Sequence, residues 1–187
     1  MGLPIIVAIS GASGAIYGVE VLKALKALER PAHLVVSEAG ARTLAYETGL
    51  GLDDVNALAA ASYSVKDVGA AIASGSFRTA GMIVAPCSIK TLSGIANSYA
   101  DNLLTRAADV TLKERRALVL LVRETPLHKG HLKLMVRAAG IGAVIMPPVP
   151  AFYAKPETLE DMARHTVGRA LDHLGVENGL AVSWRGE

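Results

Sequence analysis

Several short stretches of this chain combine residue types that can do chemistry. Ser10-Gly11-Ala12-Ser13-Gly14-Ala15 is a run of small residues that lets a phosphate approach backbone N–H groups at a helix start, and Ser13 adds a hydroxyl. The alternative is a tight turn that only packs helix against strand. The run is neither GxGxxG nor a Walker A sequence, because no Lys-Ser/Thr follows the glycines. Pro86-Cys87-Ser88-Ile89-Lys90-Thr91 sets two hydroxyls at a helix start, where they can cap the helix or form a second anion cradle facing the first. Ser37 reads as a helix cap or a ligand contact. Arg123-Glu124 follows five apolar residues directly. Arg can hold a phosphate through two parallel hydrogen bonds, and Glu can move a proton; the alternative is a rim ion pair.

Arg106 and Lys113 are seven apart and share a helix face, so together they can form a phosphate pocket. The neighbouring run Lys113-Glu114-Arg115-Arg116 also reads as a solvated face. Cys87 is the only cysteine and has no nearby His, which favours an inert buried thiol over a nucleophile and excludes an internal disulfide. His33, His128, His131, His165 and His173 show no spacing of a metal triad and are expected at the surface or as caps. Tyr153 and Arg169, sixteen apart, are not connected by spacing alone.

These residues need a scaffold, and the hydrophobic pattern supplies it. Apolar runs at 5–9, 33–36, 82–85, 118–122 and 143–146 do not alternate with polar residues, as strands buried on both faces of a parallel sheet do not. A weaker sixth strand is expected near 62–64. Helical patterns lie at 15–29, 38–48, 53–60, 89–99, 102–115, 130–138 and 157–174. This predicts one α/β domain over 1–187, a doubly wound, mainly parallel sheet of about six strands with helices on both faces. In such folds ligands bind beyond the carboxyl ends of the strands, which is where the chemical stretches fall.

Of 187 residues, 51% are hydrophobic and 19% charged, and the formal net charge is +2. That composition excludes a disordered chain and argues against a nucleic-acid glove or polybasic membrane patch. No apolar run reaches the ~18 residues that a membrane helix needs, and no basic segment opens the chain. A cytoplasmic, oligomeric protein is expected.

Taken together, the residues resemble the flavin prenyltransferases, the UbiX-type partners of UbiD-type decarboxylases, over nearly the whole chain. The carriers are Gly11-Ala12-Ser13-Gly14-Ala15, Ser74-Gly75-Ser76-Phe77-Arg78-Thr79, Pro86 through Ile95, Asp101-Asn102-Leu103-Leu104, Arg106 through Glu114, Arg123-Glu124-Thr125-Pro126-Leu127 and Pro150-Ala151-Phe152-Tyr153. The resemblance implies a Rossmann-like fold and transfer of a dimethylallyl group from dimethylallyl phosphate to N5 and C6 of reduced FMN. The product would be prenylated FMN for a UbiD-type decarboxylase. It implies FMN contacts from Gly11, Ala12, Ser13, Ser37, Ser88, Ile89, Lys90, Thr91 and Arg123. Arg106, Lys113, Tyr153 and Arg169 would hold the allyl phosphate, and Trp184 would border the site. Ser13, Glu47, Lys113 and Glu124 would be catalytic. No metal is implied, and sites are assembled between subunits, commonly of a dodecamer.

The chain departs from the family pattern at Val122, where relatives carry Pro, and at Lys133, where they carry an acidic residue. Two rival functions remain. A flavin-dependent cysteine decarboxylase shares the fold but needs a mid-chain His, and none lies between His33 and His128; its Pro-x-Met-Asn loop is replaced by Met146-Pro147-Pro148-Val149-Pro150. A non-catalytic FMN-binding subunit could dispense with Lys113 and Glu124, and both are present.

Overall fold

The computed structural model describes residues 2–184 and Gly186. Its strands are β1 (Ile5–Ile9), β2 (Ala32–Val36), β3 (Ala61–Tyr63), β4 (Gly81–Cys87), β5 (Ala117–Val122) and β6 (Ala143–Ile145). Its helices are α1 (Ala15–Ala27), α2 (Glu38–Thr48), α3 (Leu52–Asn56), α4 (Ile89–Ala96), α5 (Leu103–Lys113), α6 (Lys129–Gly140) and α7 (Leu159–Asp172). All the strand pairs are parallel, in the order β3-β2-β1-β4-β5-β6. The chain winds outward from β1 through β2 to β3, returns to β4 on the other side of β1, and continues through β5 to β6. The switch point is therefore between β1 and β4.

The strands are apolar throughout because successive side chains enter two cores. Ile5, Val7 and Ile9 pack with Leu22 and Leu25 of α1 and Val167 and Leu171 of α7. Ile6 and Ala8, pointing the other way, pack with Met82, Val84, Leu92 of α4 and Leu104 of α5. The register Val7↔Ile83 and Val84↔Leu120 keeps each layer aligned across the sheet. A one-residue slip would exchange the two cores.

Local sequence signals set several element ends, although α3, α4, α5 and α7 stop short of the helical patterns at 53–60, 89–99, 102–115 and 157–174. Ser37 Oγ accepts from Gly40 N at 2.9 Å to start α2, and Gly49 stops it at φ 72°. Thr158 and Asp161 form a reciprocal capping box at the start of α7. Pro156 lies before this box rather than inside the helix. Helix α6 is covered least: Ala138 is its buried residue, while Leu132 and Val136 are exposed. No helix among the described residues is long and apolar enough to cross a membrane.

Candidate active site

Residue Ser10 ties the switch point together. Its hydroxyl donates to Pro86 O at 2.7 Å and accepts from Ser88 N at 2.8 Å, so the ends of β1 and β4 cannot separate without breaking both bonds. Beyond them opens a cleft of about 640 Å³ whose lining includes Gly11, Ser37, Arg42, Lys66, Ser88, Lys90, Thr91 and Asn102. That volume lies within the ~300–1,000 Å³ typical of ligand sites. Helices α2, α4 and α5 all begin at this cleft, capped by Ser37, Ser88 and Asn102. Three positive dipole ends therefore converge on one volume, and they favour an anion there. Ion pairs Lys66–Glu38 at 2.8 Å and Lys90–Asp101 at 3.2 Å hold the rim.

The close approach at Gly11 has a steric basis. A Cβ there would run into the Ala39 side chain of α2, so a glycine is what lets the first turn lie against the second helix. The turn behaves differently from a free phosphate cradle, however. Gly14 N and Ala15 N, the first donors of α1, are already taken by Glu47 Oε2 at 2.8 and 2.9 Å. Burial pushes the Glu47 carboxyl up, but the Ser13 hydroxyl, these two amides and Arg123 pull it down and prevail. Glu47 is thus an anion built into the α1 N-terminus. The expectation of free N–H groups on α1 is corrected, since two of them are held by Glu47, whereas α2, α4 and α5, each with one N–H taken by its own cap, point their N-termini at the cleft.

On the other side of the turn, Ser13, Gly14, Tyr17, Arg123, Pro148, Pro150, Met162 and Thr166 line a smaller cavity of about 290 Å³. Arg123 N donates to Cys87 O at 3.0 Å, which anchors the start of the Arg123–Glu124 loop on β4. Both side chains are exposed, and Glu124 Oε1 accepts from Thr125 N at 3.0 Å. Glu124 therefore lies at the edge of the sheet, not buried behind the strand. Burial pushes the Tyr17 phenol up, and Arg123 opposes this only in part.

Helix α7 and the turn that follows it lead from this cavity back along the molecule, from Met162, which lines it with Ser13, to Leu174 beside Gly81 at the start of β4. On its flank Tyr153 meets the His165 ring edge-on at 5.6 Å and the Trp184 ring at 5.7 Å. Arg169, one turn beyond His165, pairs with Asp172 at 2.8 Å. The structure thus brings Tyr153 and Trp184 together beside His165, with Arg169 one turn along the same helix, a link that sequence spacing did not make.

Lys113 falls elsewhere. It lies at the C-terminal end of α5, paired with Glu114, beside Gly75 in the loop that precedes β4. That is the edge of the sheet opposite to Arg123, whereas the N-cap of α5 lines the cleft. Arg106, nearer the cleft, pairs with Asp109 at 2.8 Å. The shared face expected for Arg106 and Lys113 exists, but within one chain it does not bring Lys113 to the cleft. Of the neighbouring cations, Arg116 is half-buried and tied to the backbone: it donates to Gly75 O at 2.7 Å and Phe77 O at 2.8 Å. Cys87 is fully buried, and burial pushes its thiol far above its ordinary range, so it is inert.

The Flavoprotein family model matches residues 1–170. Flavin prenyltransferase UbiX of Salmonella typhimurium is 59% identical over 185 residues, covering 97% of this chain and 98% of that protein. The chain belongs to the flavin prenyltransferase family. Another member, flavin prenyltransferase UbiX of Escherichia coli K12, is 57% identical over the same length, covering 97% and 98%. The crystal structure of AnUbiX (PadA1) in complex with FMN and dimethylallyl pyrophosphate superposes with a TM-score of 0.97 at 46% identity, covering 100% of both chains. A dodecameric FMN-dependent UbiX-like decarboxylase from Escherichia coli O157:H7 superposes at 0.95 with 48% identity, over 98% and 100%.

In this flavin prenyltransferase family member, sequence reasoning missed Ser10 as the clasp and His165 as a buried group. Ser10 was visible only as part of a small-residue run. His165, 6% exposed, carries no spacing signal because its partners Tyr153 and Val182 come from outside its helix. His128, in contrast, caps α6 as expected, accepting from Gly130 N. Among the described residues no cluster of three or more His, Cys, Asp or Glu is placed to hold a metal ion.

Proposed function

We infer that the chain, as one domain over 1–187, transfers a dimethylallyl group from dimethylallyl phosphate to N5 and C6 of reduced FMN. The prenylated FMN is then passed to a UbiD-type decarboxylase. The observation that carries this reading is the switch-point cleft, where Gly11, Ser37, Ser88 and Thr91 converge between three helix N-termini. Its size, hydroxyl donors and positive helix ends fit a flavin phosphate ester. Gly11, Ala12, Ser13, Ser37, Ser88, Ile89, Lys90, Thr91 and Arg123 would hold FMN.

Reduced FMN, when bound, supplies the two nucleophilic atoms; the rest of the catalysis falls to this chain's side chains. Breaking an allylic C–O bond develops charge on the departing phosphate, and cations fixed around it lower the barrier. Arg106, Lys113, Tyr153 and Arg169 take that part, and the Trp184 face steadies positive charge on the allyl carbon. Glu124, exposed next to Arg123, is free to give a proton to phosphate and to take one from the ring carbon. Ser13 and Glu47 act together at the first turn, the carboxylate orienting the hydroxyl.

Because Lys113 stands at the opposite edge of the sheet in its own chain, it serves the cleft of a neighbouring protomer. Exposed Leu132, Val136, Phe152 and Leu159 provide apolar surface for that assembly, a homo-oligomer and on this reading a dodecamer. A cytoplasmic location belongs to the same reading. The cysteine decarboxylase TvaF shares the fold at a TM-score of 0.67 and 14% identity, which supports the fold alone.

The test is functional transfer. Protein, reduced FMN and dimethylallyl phosphate are incubated without oxygen, and the small-molecule fraction is added to an apo UbiD-type decarboxylase. Restored decarboxylation is expected. A fraction no better than FMN itself, with both substrates shown to bind, overturns the reading.

A further inference from the structure

His165 is the most deeply placed histidine near the proposed donor site, and no role has been given to it so far. The side chain is 6% exposed on α7 and makes two polar contacts, one on each ring nitrogen. Val182 N–H donates to Nδ1 at 3.2 Å. Nε2 lies 3.4 Å from the Tyr153 hydroxyl. A backbone N–H can only donate, so Nδ1 must be the accepting nitrogen, and the neutral ring carries its proton on Nε2. Nε2–H then donates to the Tyr153 oxygen. A phenol that accepts this bond keeps its own proton to donate outward.

We propose that His165 is a positioning residue for the donor-phosphate site: its Nε2–H, fixed by Val182 N–H on the other ring nitrogen, holds Tyr153 with the phenol proton turned toward the departing phosphate. The proposal rests on the prenyl-transfer reading and deepens it. It also explains why the C-terminal segment through Val182 and Trp184 lies against α7, since the same imidazole fastens both segments. Burial disfavours the charged ring, and Arg169, one helical turn away, adds to this against the weaker opposing pull of Asp172. The neutral form needed to accept from Val182 is therefore the one the surroundings favour.

Three substitutions separate this role from packing. The Asn side chain reaches about as far as Nδ1, so His165→Asn keeps an acceptor for Val182 N–H and loses the contact to Tyr153. The longer Gln side chain reaches toward Nε2 with an NH2 donor, so His165→Gln keeps that contact. Tyr153→Phe removes the hydroxyl itself. One neutral hydrogen bond is worth roughly 2- to 10-fold in an equilibrium.

His165→Asn is expected to lower kcat/KM for dimethylallyl phosphate by about that factor at unchanged FMN affinity, His165→Gln to recover most of it, and the His165→Asn/Tyr153→Phe double variant to match Tyr153→Phe alone. Additive losses in the double variant, wild-type kinetics for His165→Asn, or no recovery with Gln each overturn the proposal. Should His165→Asn fail to fold, ¹⁵N solid-state NMR of histidine-labelled wild type decides, the His165 signals being identified by their loss in His165→Gln. A protonated Nε2 with bare Nδ1 supports the role, and a protonated Nδ1 overturns it. Wild type run alongside keeps the two levels apart: no prenylation by wild type sinks the functional reading, whereas active wild type with an indifferent His165→Asn sinks only the positioning role.

Discussion

The Glu47 carboxylate reaches from the end of α2 to cap a different helix, α1, and this predicts a measurable stability contribution with a defined pH dependence. Glu47 Oε2 satisfies two of the four open donors at the α1 N-terminus, Gly14 N at 2.8 Å and Ala15 N at 2.9 Å. A side-chain cap is worth about 1 kcal/mol, within a range of roughly 0.5–2, and a negative charge at a helix N-terminus adds about 0.3–1 kcal/mol. Glu47 is exposed, and solvent screening reduces both contributions. Glu47→Ala should therefore cost about 1–1.5 kcal/mol, and Glu47→Gln, which keeps one acceptor oxygen, about 0.5 kcal/mol. For a chain of this length about 2–4 °C of Tm accompanies each kcal/mol, so the Ala variant should melt about 2–6 °C lower. The assay is thermal unfolding by circular dichroism at one fixed protein concentration, because assembly makes Tm concentration-dependent. The folded-state value of Glu47 lies below its ordinary value of 4.5. Its contribution is thus complete above that ordinary value and fades as pH falls through the depressed folded value. The gap between wild type and Glu47→Gln should be full at neutral pH and close on acidification. No gap at neutral pH, or a gap that widens in acid, would refute the capping argument.

Three further outcomes follow from the site geometry. Gly11→Ala should weaken FMN binding in a flavin titration by forcing the first turn away from Ala39, and Ala39→Gly in the same chain should restore much of it; a double variant no better than the single one contradicts the steric account. Lys113→Ala should leave FMN affinity intact while slowing prenyl transfer and weakening donor binding, and mixing it with an otherwise complete but Glu124→Gln chain should recover activity in hybrid oligomers if Lys113 serves a neighbour's cleft. Glu124→Gln should bind FMN and donor yet slow transfer by about 10²–10⁴-fold, the usual yield of general acid–base catalysis; near-normal turnover would move proton transfer to Glu47 or to the phosphate.

The sheet was legible because burial on both faces leaves an unbroken apolar mark: β1, β4 and β5 stand where Ile5–Ile9, Met82–Ala85 and Leu118–Val122 demanded them. β3 was nearly silent, since Ala61, Ser62 and Tyr63 form an edge strand of half-exposed residues. Helix ends followed their caps, as with Ser37 and Thr158, but α4 stops at Ala96 and α5 at Lys113, short of the patterns that suggested them. The order of strands was not readable, because nothing in a strand's own composition names its neighbours.

In the site, the small-residue turn and the hydroxyls after β4 announced themselves by type and position. The Glu47 cap and the His165 contacts did not, since each joins groups 12 to 33 residues apart through tertiary packing alone. The shared helix face of Arg106 and Lys113 was a correct local inference. Helical periodicity places residues around an axis but not along it relative to the sheet, and Lys113 lies at the far end.

The central claim is that this chain alkylates flavin, and the mass of the flavin tests it most directly. The protein is incubated with FMN, a reductant and dimethylallyl phosphate under strict anaerobiosis, and the extracted flavin is weighed by mass spectrometry. A gain corresponding to one C5H8 group, formed only when protein and donor are both present, is the predicted result. Flavin of unchanged mass, with binding of both substrates demonstrated in the same sample, would contradict the account.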